Sequence, residues 1–369
     1  MRKISWLLGF LGLAACSAGG NGTDPALTAP ASDSNGVASD PAVVGPAADG
    51  TAPFPAGTIC NDTGVPRLAP AVLKHVIVVL FENEDLGSVN GNAKAPYLSS
   101  LATSCGYATQ YLDNTFTSNL VSLPHYLALA SGTNCDTGMD QSGTNCITDN
   151  GDATTHQIGV RSIFDQVSWR SYQEGMPSAC ALKSGGDGYA AKHNPAAYYS
   201  ALASCDANDL PIAPVKCSGG TKLSKCSAPS NAFTADLAND TLAAYTLVTP
   251  NLANDMHDGT VTQADNWLYT YLPLVFQSPS YRHGETAVMI VFDEQSTSDF
   301  GGSMPNVFIS PFIAKGTVTA EPMNHFAVLR ATEQALGVDE YLGCASGTRP
   351  GGGDCPVGST TDLRGELGL

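Results

Sequence analysis

Two apolar runs, each ending in polar ligand-type residues, constrain the fold of this chain more than any other feature. Residues 76–81 (VIVVLF) are followed by Glu82 and Asn83, and residues 287–292 (AVMIVF) by Asp293 and Glu294. Unbroken apolar runs rich in β-branched residues are typical of strands buried on both faces of a mostly parallel sheet. Open α/β sheets bind ligands at the carboxyl ends of their strands. Carboxylate and amide oxygens there suit a divalent metal, although a turn or helix-capping cluster would use the same residues.

The remaining segments alternate between predicted strands and helices. Apolar runs predict strands at residues 107–114, 245–250 and 307–313, and helical periodicity predicts helices at 95–102, 162–169, 236–242, 264–277 and 327–336. This order predicts an α/β fold with a central, mostly parallel sheet flanked by helices on both faces.

A serine at a predicted helix start is the main candidate for a nucleophile. Ser122 precedes a helical apolar repeat and has Pro124 near the first turn. The backbone N–H groups and the dipole of a helix N-terminus favour an anion. A helix N-cap and a phosphate-accepting nucleophile require the same position, so both interpretations stay open at this stage.

Two loops carry the remaining candidate residues. Asp255, His257 and Asp258 follow the predicted strand 245–250, and carboxylates flanking a histidine have metal-site chemistry, although an Asn/Asp-rich loop is equally good turn chemistry. Lys192 and His193, with the adjoining Asn194, form a polar cluster whose simplest interpretation is a surface loop.

Charge and size exclude some classes of protein. The 369 residues are 43% hydrophobic and carry a net charge of −17. A chain of this length can bury one large core or two modest ones. Without a basic stripe to neutralise phosphates, nucleic acid is excluded as a partner.

The N-terminus is typical of an exported protein. Residues 1–15 have a short positive start and an apolar stretch too short to span a membrane, and they read as a signal peptide. The sequence LAAC resembles a lipobox, which predicts cleavage before Cys16 and a lipid on its thiol; an ordinary signal peptide with a chance cysteine is the alternative. Residues 16–59 read as a flexible tether and residues 60–369 as the folded domain. We therefore expect a cell-envelope lipoprotein or a secreted protein that meets the membrane only through this anchor.

Cysteine usage agrees with export. Ten of the eleven cysteines remain after Cys16, which predicts up to five disulfides. The spacings of Cys135 and Cys146, of Cys217 and Cys226, and of Cys344 and Cys355 suit small loops. The absence of a C-x-x-C pair argues against a zinc knuckle or a redox motif.

Taken together, the ordered motifs resemble a known family. They are residues 75–83, 95–98, 122–124, 126–132, 192–195, 250–258, 293–294, 310–311 and 324–325. The set resembles the bacterial and fungal phosphoesterase family that contains acid phosphatases and phosphatidylcholine-type phospholipases C, within the alkaline phosphatase superfamily. Two departures bear on substrate preference: His125 stands where that family usually has Asn, and Leu120 where a His is common.

The resemblance implies an alkaline phosphatase-like fold and a metal-dependent serine nucleophile. It implies that Glu82, Asn83, Asp293 and Glu294 hold a divalent metal together with Ser122, which attacks phosphorus and forms a phosphoserine. His193, His257, Asp258 and His325 would act on phosphate or on the leaving oxygen, or would bind a second metal with Asp255. His125, Lys192 and Asn194 would contact the substrate. One or two ions fit, and Mg, Mn, Ca, Zn or Fe is compatible.

Three functions remain open from the sequence. We expect a monomeric, acid phosphatase-like enzyme acting on small phosphate monoesters. The polar, cysteine-rich stretch 135–232 lacks the apolar entrance that a lipid substrate needs, and this favours a monoester over the alternative, a phospholipase C or other phosphodiesterase. The second alternative is an envelope binding protein that kept the fold and lost catalysis.

Overall fold

The computed structural model describes residues 53–65, 67–117, 121–137, 146–227, 229–296 and 300–369. In it the two apolar runs form adjacent central strands. The eight strands in these ranges are β1 (His75–Phe81), β2 (Gly106–Ala108), β3 (Trp169–Glu174), β4 (Asp209–Ile212), β5 (Tyr245–Thr249), β6 (Thr286–Phe292), β7 (Asn306–Ile309) and β8 (Thr317–Thr319). They form one sheet in the order β4-β3-β5-β1-β6-β7-β2-β8. Only β7 runs antiparallel to its neighbours, which confirms the predicted mostly parallel sheet.

Helices cover both faces of this sheet. Within the described ranges they are α1 (Leu86–Val89), α2 (Pro96–Ser104), α3 (Ser122–Ser131), α4 (Ile163–Gln166), α5 (Cys205–Asn208), α6 (Ala232–Asn239), α7 (Val261–Gln277), α8 (Pro279–Arg282), α9 (His325–Ala335) and α10 (Leu363–Leu367). Trp267 of α7 packs edge-on against Phe81 of β1. On the other face Thr332 of α9 donates to the sulfur of Met289 in β6. Burial on both faces explains why β1 and β6 are almost entirely apolar.

Helix α3 is fixed at its C-terminal end by a glycine. Gly132 caps the helix in the left-handed region at φ 68° and accepts a hydrogen bond from Cys344 N at 2.7 Å. A Cβ at this position would lie 2.2 Å from the Leu342 carbonyl oxygen. The close approach therefore requires glycine and holds the C-terminal end of α3 against residues 342–344.

Several predicted elements differ from the structure. The helix predicted at residues 162–169 ends early, because only Ile163–Gln166 is helical and Trp169 begins β3. Strands β3 and β4 were not predicted, because β3 buries polar side chains such as Ser171 and Gln173 and so lacks an apolar signature. The strands predicted at 107–114 and 307–313 are shorter, since β2 and β7 end at Ala108 and Ile309.

The ten described cysteines form five disulfides, as their even number predicted. The pairs are Cys60–Cys105, Cys135–Cys146, Cys180–Cys205, Cys217–Cys226 and Cys344–Cys355. Three of these are the closely spaced pairs identified in the sequence.

The predicted signal peptide, Cys16, most of the tether and Leu120 lie outside the described residues. Phe54, which the sequence assigned to the tether, is buried, and its ring packs against Phe312. No helix in the described ranges is both long and apolar enough to cross a membrane.

Candidate active site

The carboxyl ends of β1 and β6 bring two pairs of polar residues together. Phe81 and Phe292 are aligned in the parallel register, so Glu82 and Asp293 follow at the same edge. Asn83 adopts a left-handed backbone with φ 50°, and its N–H donates to Asp293 Oδ1 at 3.1 Å. Glu82 and Asp293 are fully buried, and Glu294 is almost so.

Ser122 is the first residue of α3 and faces both strand ends. Its hydroxyl donates to Glu82 Oε2 at 3.1 Å and lies 3.4 Å from Glu294 Oε1. The N–H of Val121 donates to Glu294 Oε2 at 2.8 Å, so Glu294 also accepts from the helix N-terminus. Tyr126, one turn after Ser122, donates its hydroxyl to Glu82 Oε1. The side chain of Ser122 is therefore held between two carboxylates.

A short 3₁₀ turn (Ala191–His193) places a lysine and a histidine over this serine. Lys192 Nζ lies 3.3 Å from Ser122 Oγ and 3.1 Å from His257 Nε2. The ring of His193 stacks on Tyr126; its Nε2 lies 3.1 Å from Glu82 Oε2, and its Nδ1 lies 3.3 Å from Asp255 Oδ2. This loop, for which the sequence alone favoured a surface position and the resemblance a place in the site, thus contacts the sheet edge at which Ser122 lies.

The loop after β5 contributes residues of decreasing burial. Asp255 is fully buried and accepts the N–H of His257 at 2.8 Å through Oδ1. The ring of His257 is partly exposed, and its Nδ1 lies 2.8 Å from Asp258 Oδ1. Asp258 is mostly exposed and orients the ring from outside. His257 is therefore open to solvent, unlike the buried His193.

Two further histidines lie behind the carboxylates. Burial lowers the pKa of His325 to about 4, and its ring nitrogens contact the Tyr111 hydroxyl and, at 2.6 Å, the Asp293 carbonyl oxygen. Burial lowers the pKa of His125 well below its usual range; its Nδ1 lies 3.1 Å from Thr115 Oγ1 and its Nε2 3.9 Å from Glu294 Oε2. Both of these predicted site residues are almost completely buried. His325 contacts the backbone of Asp293, and His125 lies near the Glu294 carboxylate.

Asn194 is the predicted site residue whose side chain turns to other partners. Its amide donates to Asp209 Oδ2 at 2.7 Å and to the Tyr189 hydroxyl at 3.0 Å. Sequence reasoning also missed Tyr126 as a partner of Glu82. The spacing offered a signal in that case, because residues four apart share one face of a helix. No motif pointed to Asp209.

Burial dominates the electrostatics of the site. It raises the pKa of Glu82 to about 7 against the opposing effect of Lys192, and it raises the pKa of Asp255 to about 7. The pKa of Asp293 lies well above its usual range because of burial and the neighbouring Glu82. Burial lowers the pKa of His193 to about 4. Carboxylates outnumber the single ammonium of Lys192 in this described group, so the site favours added positive charge.

The donor atoms fit a divalent cation. Glu82, His193 and His257 offer one ligand atom each within 4.8 Å of one another. Within the described ranges the buried atom Asn83 Oδ1 has no hydrogen-bond partner, and the buried carboxyl group of Asp293 lies against that of Glu82. Oxygen ligands suit Mg, Mn or Ca, and the histidine-containing group suits Zn or Fe.

Comparisons with known proteins find similarity to phosphoesterases. Residues 91–339 match the Phosphoesterase family, which is more than half of the sequence. A phosphatidylinositol-3-phosphatase of Mycobacterium tuberculosis is 26% identical over 275 residues, covering 74% of this chain and 81% of that protein. A phosphate-repressible acid phosphatase of Penicillium chrysogenum is 27% identical over 238 residues, covering 62% of this chain and 52% of that protein. The chain thus spans about half the length of this fungal relative.

Among solved structures, a protein of the alkaline phosphatase superfamily from Vibrio parahaemolyticus is similar with a TM-score of 0.46. The two chains are 14% identical, and 78% of this chain and 73% of that chain are covered.

Proposed function

The chain belongs to the Phosphoesterase family, a family of phosphoric ester hydrolases, and we propose that it hydrolyses phosphate monoesters through Ser122. One observation carries the proposal. The Ser122 hydroxyl lies within 3.4 Å of carboxylates from two strand ends and of the Lys192 ammonium, at the start of a helix. A serine that served only as a helix cap would not require this set of charged groups.

In the proposed reaction, residues of the site accept and donate every proton that is transferred. Ser122 gives its proton to Glu82, whose Oε2 lies 3.1 Å from Oγ, and Oγ attacks phosphorus. The ester P–O bond breaks, and His257 gives a proton to the departing alcohol oxygen. Water then attacks the phosphoserine and gives its proton to His257, while Ser122 recovers its own proton from Glu82 as phosphate leaves.

We propose that the enzyme is metal-dependent. Glu82, Asn83, Asp293 and Glu294 with Ser122 Oγ would hold one ion. If a second ion binds, Glu82, His193 and His257 offer its ligands, and a water molecule would then protonate the alcohol oxygen in place of His257. A bound divalent cation lowers the pKa of a coordinated hydroxyl and offsets the charge of the phosphate. Elemental analysis of the purified protein gives the number and identity of the ions.

Two observations support a monoester over a diester. The two relatives described above are named as phosphatases, a phosphatidylinositol-3-phosphatase and an acid phosphatase, and neither is named as a phospholipase or a phosphodiesterase. In addition, Lys192 Nζ lies 3.3 Å from Ser122 Oγ and 3.1 Å from His257 Nε2, so two basic side chains would be available to the oxygens of a terminal phosphate at Ser122. A side-by-side assay of p-nitrophenyl phosphate, p-nitrophenylphosphorylcholine and bis-p-nitrophenyl phosphate decides between them. Higher kcat/KM on either diester would overturn the monoester assignment in favour of a phospholipase C or other phosphodiesterase.

Location and assembly form a separate part of the proposal. Residues 1–15 would direct export, Cys16 would carry the lipid, and residues 60–369 would act as a monomeric catalytic domain on a small phosphate ester. The disulfides fit an exported protein. A Cys16→Ser variant should move from the membrane fraction to the soluble fraction; unchanged fractionation would contradict the anchor.

The nucleophile is tested with a matched pair of serine variants. Ser122→Ala should abolish release of phosphate from p-nitrophenyl phosphate, whereas Ser131→Ala should retain it. Ser131 is equally buried at the other end of α3, where its hydroxyl donates to the Leu127 carbonyl oxygen at 2.8 Å. Unchanged turnover in Ser122→Ala, or equal loss in both variants, contradicts the proposal. Absence of turnover in the wild type on any of the three esters between pH 4 and 9 would support the binding-protein alternative.

A further inference from the structure

A buried carboxylate that the reaction does not use lies next to the turn that carries Lys192 and His193. Asp209 is the first residue of β4, is fully buried and accepts the amide N–H of Asn194 at 2.7 Å. Its backbone carbonyl oxygen accepts the N–H of Cys180 at 3.1 Å. A buried carboxyl group is costly unless it is well hydrogen-bonded, so its retention here requires a reason.

The same turn has a second anchor on the sheet. Thr249 at the end of β5 donates its hydroxyl to the His193 carbonyl oxygen at 3.4 Å. Gln173 of β3 donates to Thr249 Oγ1 at 3.1 Å and to Ser171 Oγ at 2.9 Å. All of these side chains are buried. The turn and the adjoining Asn194 are therefore hydrogen-bonded to Asp209 of β4 and Thr249 of β5, and Thr249 is held in turn by Gln173 of β3. On its other side the turn contacts Ser122, Glu82 and Asp255.

The turn itself is too short to fix the direction of its side chains. Ala191–His193 is a single 3₁₀ turn, yet it must aim Lys192 at Ser122 and His193 at both Glu82 and Asp255. Isolated turns of this length are weakly ordered, so their geometry depends on tertiary contacts. The contact that directly follows His193 in the chain is the one between Asn194 and Asp209.

We propose that Asp209 is a positioning residue for the reaction: by holding the Asn194 amide, it fixes Lys192 and His193 over Ser122. This inference rests on the proposed function for its kinetic consequence, but its structural consequence is independent of activity. Misplacing catalytic groups by about 1 Å lowers rates by up to about 100-fold. Loss of the hydrogen bond between Asn194 and Asp209 should therefore lower kcat more than it changes KM.

The experiment compares three aspartate variants in the full chain. Asp209→Ala removes the acceptor for Asn194, and Asp209→Asn keeps an acceptor of the same size. Asp265→Ala is the matched control, because Asp265 is equally buried and accepts the N–H groups of Tyr97 and Leu98 at 3.0 and 2.7 Å on α2. Each variant is assayed well below its Tm, and the ring signals of His193 are followed by NMR in histidine-labelled protein, assigned with His193→Gln.

We expect Asp209→Ala to lower kcat by about 10- to 100-fold and to move the His193 ring signals. Asp209→Asn should restore both, and Asp265→Ala should lower Tm while changing neither. Equal kcat in the two alanine variants, or unmoved His193 signals in Asp209→Ala, would overturn the proposal. If Asp209→Ala does not fold, Asn194→Ala removes the same hydrogen bond and should give the same two changes. If Ser122→Ala retains turnover, the proposed function fails. The His193 ring signals alone then show whether Asp209 positions the turn.

Discussion

Replacement of Lys192 by methionine tests the electrostatics of the site most directly. Methionine keeps an unbranched apolar side chain and removes the ammonium group. In the structure this ammonium lies 3.3 Å from Ser122 Oγ, so a phosphoryl group bonded to that oxygen would lie within contact distance of Lys192. The neighbouring carboxylates repel the same phosphoryl group, so the loss of Lys192 leaves the repulsion less opposed.

The expected effect follows from charge and distance. Two unit charges about 4 Å apart interact with about 4 kcal/mol at an effective dielectric constant of about 20. Removal of one preorganised donor from a developing oxyanion costs about 100- to 1000-fold in kcat. We therefore expect kcat/KM for p-nitrophenyl phosphate to fall by about that factor. A diester carries one negative charge where the monoester carries two, so its loss in free energy should be about half as large. The two losses should therefore differ by about 1.4 to 2 kcal/mol, or about 10- to 30-fold.

The assay measures kcat/KM for a monoester and a diester in wild type and in Lys192→Met at constant ionic strength. Lys222→Met, which changes an exposed lysine, is the control for net charge. Equal losses on the two substrates would show that Lys192 does not interact with the phosphate charge. An unchanged kcat/KM on the monoester would refute the position assigned to Lys192 altogether.

Three further predictions concern metal, pH and packing. Asp293→Ala should lower the metal content of the purified protein relative to wild type, because it removes a buried carboxyl group that is proposed as a ligand; equal content in both would count against the site. Burial raises the pKa of Glu333 to about 8 from its usual value of 4.5. Between these two pH values the folded state keeps a proton that the unfolded state has lost, so the free energy of unfolding falls as the pH rises. Glu333→Gln should therefore raise Tm at pH 8 more than at pH 5, and a pH-independent difference contradicts this. Gly132→Ala should lower the free energy of unfolding by about 2 kcal/mol or more in urea, because its Cβ meets the Leu342 carbonyl oxygen in a left-handed backbone; a loss below about 0.5 kcal/mol would contradict the strain.

The parts of the fold that the sequence predicted are those with a strong local signal. Strands β1 and β6 are buried on both faces, so their apolar runs marked both their course and their carboxyl ends. Ser122 was predicted at a helix start and begins α3. Strand β3 gave no such signal, because Ser171, Gln173 and Glu174 are buried through hydrogen bonds rather than through apolarity.

The orientation of polar side chains depends on contacts between distant segments and could not be predicted. Asn194 was expected to contact substrate because of the family resemblance of residues 192–195, yet its partner Asp209 belongs to a strand that the sequence did not reveal. His125 lies one turn after Ser122 and was expected near phosphate. The structure packs it with Thr115 and the ring of Phe116, both from the segment before α3.

The cost of the acidic cluster links stability to catalysis. Glu82, Asp255 and Asp293 all have a raised pKa because burial penalises their charged forms, which means that each ionised form destabilises the fold. Lys192 opposes this effect at Glu82. A cation that binds only the folded state would stabilise the fold in proportion to its affinity. A protein that only bound an envelope partner would gain nothing from these acids, and apolar replacements would stabilise it. Their presence around Ser122 therefore fits the proposed enzyme, in which the carboxylates that burial penalises would hold the cation and the nucleophile.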